Sequence, residues 1–99
     1  MTGRLANVTA EIKAQNTFTD WLIVDKGKRF SLNIWGTFAG VVTLQKTYDA
    51  GTTILDDEIT YTGPTNETSL PQAETAQYRI GIKTGQYTSG TASLRLGRD

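Results

Sequence analysis

Apolar and polar residues alternate along much of this chain. From Arg29 to Trp35, Phe30, Leu32 and Ile34 fall on one side of an extended backbone and Ser31, Asn33 and Trp35 on the other. That period of two is the signature of a half-buried strand. Tyr78, Ile80 and Ile82 repeat it against Arg79, Gly81 and Lys83. From Thr91 to Leu96, Ala92, Leu94 and Leu96 point inward against Ser93 and Arg95. A strand from Val41 to Tyr48 contributes Val42 and Leu44 as a core pair, and one from Thr9 to Ala14 places Ala10, Ile12 and Ala14 on one face. The stretch from Phe18 to Val24 holds the run Trp21-Leu22-Ile23-Val24, too apolar for simple alternation to bury. A strand begins at Thr52, is interrupted by Asp56-Asp57, and resumes with Ile59 and Tyr61. Pro71 keeps the stretch from Thr68 to Ala73 out of a central strand position.

Turn chemistry separates these runs. Asn16-Thr17, Asp25-Lys26-Gly27-Lys28, the glycine-bounded Gly36-Thr37-Phe38-Ala39-Gly40, Asp49-Ala50-Gly51, Gly63-Pro64-Thr65-Asn66 and Thr84-Gly85-Gln86 all read as breaks. Asp49-Ala50-Gly51 suits a hairpin, because a small residue and a glycine tolerate positive φ. Roughly seven or eight short strands at regular spacing predict an all-β, immunoglobulin-like antiparallel β-sandwich. Its core is expected to close on Phe30, Leu32, Ile34, Leu44, Ile80, Ile82 and Leu94. Residues 1–8 lack a strand pattern and read as a flexible arm that orders on contact, leaving 9–99 as one domain.

Composition agrees with that class. Threonine, at 17 residues, suits a pleated surface, and 10 glycines supply turns. A length of 99 residues fits one domain. Cysteine and histidine are both absent, which removes thiolate chemistry and the commonest general base and metal ligand. A small domain without disulfides suits a reducing cytoplasm. Ten basic and ten acidic residues give a formal net charge of zero, so no nucleic acid or anionic membrane is called for. No apolar run reaches signal-peptide or membrane-span length, so a soluble protein is expected.

Candidate chemistry is sparse. Asp56-Asp57-Glu58 offers oxygen ligands for a hard cation but lacks an EF-hand's spacing, and a solvated segment that discourages edge pairing accounts for it. No metal or other cofactor is expected. Asp49, Asp56 and Glu58 are available as a carboxylate pair for glycoside hydrolysis, but nothing fixes their separation. No base is marked for a Ser or Thr nucleophile. Catalysis is therefore not expected. Asn7-Val8-Thr9 and Asn66-Glu67-Thr68 match the glycosylation sequon, a pattern short enough to arise by chance.

The aromatic residues say more. Trp35 falls opposite the core face of its strand, Trp21 lies in an overlong apolar run, and Phe38 occupies a turn. Each is either core or an interface anchor, and exposed rings equally form a platform for sugars. Arg79, Lys83 and Arg95 project outward from the last two long strands, with Tyr87 at the hairpin between them. If those strands pair, the three cations share a patch, which is either a solubilising face or a basic contact for an acidic partner.

Two stretches carry a resemblance. The stretch from Gly36 to Gly51, in which Gly36-Thr37-Phe38-Ala39-Gly40 leads into Val42-Thr43-Leu44-Gln45, and the stretch from Tyr78 to Leu96, in which Tyr78-Arg79-Ile80-Gly81 leads to Ser89-Gly90-Thr91-Ala92, resemble small β-sandwich structural proteins of tailed bacteriophages. The stretch from Leu70-Pro71 to Tyr78 also looks like the corner of fibronectin type III domains, where a tyrosine hydroxyl bonds the preceding loop. The phage resemblance implies a virion component made in the host cytoplasm: a capsid decoration (cement) protein on the outer capsid surface, bound to the major capsid protein and forming a homo-oligomer. A tail or fibre domain and a carbohydrate-binding module that grips glycans are the alternatives. The residues expected to touch partners are Arg4, Leu5, Trp21, Trp35, Phe38, Arg79, Lys83, Tyr87 and Arg95. Removing residues 1–8 is expected to leave the fold intact and weaken attachment to the particle.

Overall fold

A computed structural model describes residues 7–98, apart from the side chains of 57–59. The elements are β1 (Asn7–Ile12), β2 (Thr17–Phe18), β3 (Leu22–Val24), β4 (Phe30–Trp35), β5 (Phe38–Gly40), β6 (Val42–Thr47), β7 (Leu55–Tyr61), β8 (Thr65–Thr68), β9 (Ala76–Ile82), β10 (Tyr87–Gly90) and β11 (Ala92–Arg98). One sheet has the order β1-β11-β4-β8, a second has β2-β9-β6-β7 with β3 also on β9, and β10 and β5 form a two-stranded sheet between them in the chain. All pairings are antiparallel.

Among the described residues eleven short strands stand where seven or eight are expected, and the register explains the difference. Ile34 pairs Leu94, Phe38 pairs Gly90, and Thr43 pairs Gly81. Residues 30–47 and 76–98 thus form one antiparallel ribbon that leaves the first sheet, bends at β5 and β10, and enters the second. Residues 7–24 follow the same path along one side of the ribbon and 55–68 along the other. Four long segments, each folded across both layers in the same lateral order, make the sandwich.

The bend requires glycine. Gly90 has φ 87°, and a Cβ there would lie 2.3 Å from the Thr37 carbonyl oxygen; Gly40 has φ 151°, and a Cβ would lie 2.6 Å from the Gln86 carbonyl. Only a residue without a side chain lets the two backbones cross so closely in that conformation. Gly36 to Gly40, expected as a turn, contains β5, because the chain bends there while still pairing with β10, with a register shift between Tyr87 and Ser89.

The core is one cluster between the layers. All seven residues expected in it are buried, at most 8% exposed, and Val8, Ile12, Leu22, Val24, Val42, Tyr78, Ala92 and Leu96 join them. A fully buried Leu or Ile contributes about 1.5–3 kcal/mol. The first strand runs from Asn7 to Ile12 rather than from Thr9 to Ala14. Val8 is buried, so the expected arm of residues 1–8 overlaps β1, and deleting it would remove a core side chain. Its residues 1–6 lie outside the described residues. Ala14 is exposed, beyond the strand end. The strand expected from Thr52 begins at Leu55, because 49–53 are occupied by the hairpin turn. Thr65 and Asn66, read as part of a break, open the edge strand β8.

Two loops close the end of the sandwich away from the bend. The Gly27 N–H donates to the Gln72 carbonyl (2.8 Å), and the Gln72 N–H donates to the Lys28 carbonyl (2.9 Å). The buried Tyr78 ring stacks on Phe30 with centroids 4.5 Å apart, and its hydroxyl donates to the Gln72 side-chain oxygen. The tyrosine therefore ties its strand to the preceding loop, as the sequence of that corner suggested. At the other hairpin, Ala50 and Gly51 have φ 58° and 95°. Two successive positive values are the mark of a type I′ turn, with the Thr52 N–H reaching the Asp49 carbonyl at 3.3 Å.

Candidate binding face on the outer side of the second sheet

The outer side of the second sheet carries a connected group of side chains centred on Arg79. Its construction begins with a break in the first segment. Phe18 pairs Gly81, but Leu22 pairs Tyr78, so the register shifts by one residue between them. At the break, the Thr19 N–H donates to the Ile80 carbonyl (2.9 Å) and the Thr19 hydroxyl accepts the Ile80 N–H (3.2 Å), keeping the ladder satisfied. Phe18 and Trp21 are three positions apart and would face opposite sides of an unbroken strand. The extra residue brings both to the outer face, as a bulge does.

Both rings lie against the Arg79 guanidinium. Its Cζ is 4.2 Å from the Phe18 ring centroid and 4.6 Å from that of Trp21. Gly81, next but one on β9, makes the Phe18 position possible. A Cβ there would lie 2.1 Å from the Thr17 carbonyl oxygen and 2.7 Å from Phe18 Cδ2. A Cβ at Gly51 of the β6–β7 hairpin would lie 3.7 Å from the Trp21 indole nitrogen, so this turn borders the ring. Aromatic faces are electronegative, so each attracts the cation, more strongly as water is excluded. Burial lowers the Arg79 pKa from its ordinary value, without removing the charge of a group this basic.

Register extends the group. Gln45 of β6 stands beside Arg79, and Asp56 of β7 stands beside Gln45. Arg79 Nε donates to Gln45 Oε1 (2.9 Å), Gln45 Nε2 donates to Asp56 Oδ1 (2.7 Å), and Lys83 Nζ meets Asp56 Oδ2 (2.7 Å). Arginine only donates and an ionised carboxylate only accepts, so the Gln45 amide has one orientation that serves both. The Lys83 ammonium, then the Gln45 amide, hold the Asp56 carboxyl below its usual range. Asp56, considered above as a cation ligand, is thus engaged by a lysine and an amide.

The structure brings three of the expected site residues together here: Trp21, Arg79 and Lys83. Arg95 is not among them. β9 and β11 lie in different sheets, because the 76–98 segment crosses between layers at β10. The shared three-cation patch is therefore corrected to two separate faces. On the first sheet, Arg95 Nη1 donates to Asn33 Oδ1 (3.0 Å), and Trp35 on the same outer side is 49% exposed. Phe38 and Tyr87 sit at the bend, half-buried against the core, with the Tyr87 hydroxyl donating to the Gly90 carbonyl (2.8 Å). Tyr87 belongs to β10 rather than to a hairpin joining two paired strands. Arg4 and Leu5 lie outside the described residues.

Sequence reasoning did not single out Phe18 or Gln45. Their signal is weak: an aromatic three positions before Trp21, and a polar residue at the outward phase of β6 that becomes meaningful once β6 and β9 are paired. Among the described residues no helix is long and apolar enough to cross a membrane, and no group of three acidic side chains is placed to hold a metal ion. Compared with protein-family models, curated proteins and solved structures, the chain matches none.

Proposed function

We propose that this chain is a non-enzymatic structural module that docks on other proteins through the outer face of its second sheet. The observation that carries the reading is the Arg79 clamp: two aromatic rings and an amide hold one cation in a fixed pose on a face the core does not need. Fixing a long side chain before contact removes part of the ordering cost that binding otherwise incurs. Arginine and tryptophan are also the residues that most often anchor interfaces.

The setting in which we place the module is a tailed-phage particle, as a capsid decoration (cement) protein bridging copies of the major capsid protein on the capsid surface. Support comes from the resemblance of the Gly36–Gly51 and Tyr78–Leu96 stretches to such proteins. It also comes from a near-neutral charge, compatible with many copies side by side. Cementing needs buried area repeated across many seams, not catalysis. The test is a cryo-EM map of particles mixed with the purified chain. Density at capsid seams with the second sheet facing the shell is the expected result. Density on the tail moves the protein to a tail or fibre role, and no density on any particle ends the phage reading. The half-exposed Trp35 favours glycan binding as the second reading, tested by a glycan array with Trp35→Ala as control.

A further inference from the structure

We infer that Arg79 is a receptor for a single carboxylate, the side chain of an aspartate or glutamate on the partner protein. This rests on the reading of the second sheet's outer face as the docking surface and adds the chemistry that face recognises.

Three features of the guanidinium define the ligand. Two aromatic rings lie against it, with Cζ 4.2 Å from the Phe18 centroid and 4.6 Å from that of Trp21, which restricts access to the planar group. Its Nε edge is taken by Gln45. What remains is the terminal edge, Nη1 and Nη2, which has no partner among the described residues. No buried side-chain nitrogen or oxygen among them lacks a partner, so these two nitrogens are not sealed in the interior. Two parallel N–H groups on one planar edge match two carboxylate oxygens, the end-on bidentate pair.

Charge points the same way. The neighbouring network closes on itself: Lys83 neutralises Asp56, and Gln45 is shared between Asp56 and Arg79. The cluster of Arg79, Asp56 and Lys83 therefore keeps one positive charge, and it resides on Arg79. One anionic charge from the partner completes it, which a carboxylate supplies and an amide does not. The two adjacent rings exclude part of the water that would otherwise compete.

The test uses the full chain and two short capped peptides that differ only in carrying one glutamate or one glutamine. NMR reads the Arg79 Nε–H and Trp21 indole N–H signals. The glutamate peptide is expected to shift both saturably, with affinity about tenfold above that of the glutamine peptide. Arg79→Lys keeps the charge and loses the fork, and should lower glutamate-peptide affinity by about tenfold. Phe18→Leu leaves the guanidinium intact but loosens its pose, and should lower affinity several-fold. Both variants are first checked for native methyl spectra. Equal affinity for the two peptides, or undiminished affinity in Arg79→Lys, overturns the inference. So does a response confined to inorganic phosphate, which would make the site a phosphate receptor. The peptide assay involves no particle. Peptide binding without particle binding would therefore defeat the docking reading alone, and particle binding unaffected by Arg79→Lys would defeat the carboxylate inference alone.

Discussion

The two outer faces of the sandwich are built from the same ingredients. Each carries an arginine, a tryptophan and an amide: Arg79, Trp21 and Gln45 on the second sheet, Arg95, Trp35 and Asn33 on the first. On the second sheet a bulge turns Trp21 toward the arginine, and Gly81 leaves space for Phe18 to complete the clamp. On the first sheet the strands stay in register from Asn7–Gly97 to Ile12–Ala92. Arg95 lies down over Gly97 and donates to Asn33, which donates to Asn66 at 2.8 Å. Trp35, paired with Ser93, remains half-exposed in the next row. The shared residue types are alike; a register shift and a glycine separate a cation set against two rings from one held by a side-chain hydrogen bond alone.

Glycine substitutions give the largest expected contrast. Gly81→Ala drives a Cβ into the backbone of the neighbouring strand, 2.1 Å from the Thr17 carbonyl oxygen and 2.6 Å from Phe18 Cα. Backbone cannot step aside without breaking the ladder, so the variant should lose about 3 kcal/mol of stability. Gly97→Ala meets the far end of Arg95, 2.4 Å from its Nη2. A flexible side chain can move, so less than about 1 kcal/mol is expected. Urea denaturation of both variants measures the difference. Equal losses would mean that the second sheet's face is not held by the close approach of β2 to β9.

Next in size come the arginines themselves. Arg79→Ala removes two ring contacts and leaves the Gln45 carbonyl without its donor, a loss of about 1.5 kcal/mol. Arg95→Ala breaks one part-buried hydrogen bond and loses no ring contact, and should cost about 0.5 kcal/mol. Calorimetric melting of the pair decides it. The faces are equivalent if the two losses agree.

The same contrast shows what could be read from the residues alone. The alternation of Phe30, Leu32 and Ile34, and of Tyr78, Ile80 and Ile82, located the core because period two is a local property. The outward phase of Arg79 and Lys83 was legible for the same reason. That Arg95 belongs to the other layer was not. It depends on a ribbon that keeps its pairing through Gly36–Gly40 and Ser89-Gly90, where glycine signals a turn and a bent strand equally well. The clamp was half-legible. Trp21 stood out because its run was too apolar to alternate, yet the bulge that turns it outward arises from Thr19 bonding to Ile80, a residue 61 positions away. Gln45 and Asp56 acquire roles through registers that no local pattern encodes.

A double-mutant cycle sharpens the comparison by measuring coupling rather than loss. Trp21 and Arg79 are in contact and should couple by about 0.5–1 kcal/mol. Trp35 and Arg95 stand in different rows and should add within about 0.3–0.5 kcal/mol. Alanine variants in single and double form, read by urea denaturation, are sufficient. Additivity at Trp21 and Arg79 would remove the physical basis for a pre-set cation.

The smallest effect concerns pH, and it too divides the faces. Asp56 has a folded-state pKa below its ordinary 3.8, held there first by Lys83 and then by Gln45. A carboxyl whose pKa is lower when folded stabilises the fold above its unfolded value. That contribution fades as pH falls from about 4 through the lower folded value. Asp56 and Lys83 are both substantially exposed, so solvent screening limits the contribution to about 0.5 kcal/mol. Asp56→Asn should therefore be slightly less stable than the parent at about pH 7 and indistinguishable from it near about pH 2. Raising the salt at neutral pH should narrow the gap as acid does. The bonded row on the first sheet, Arg95 to Asn33 to Asn66, contains no carboxylate, so the small deficit of Arg95→Ala should stay constant over the same range. Melting temperatures of the three proteins across that pH range give the answer. A gap between Asp56→Asn and the parent that persists in acid would show that Asp56 acts through packing rather than charge. The positive charge on this face would then not be concentrated at Arg79 by the neighbouring ion pair.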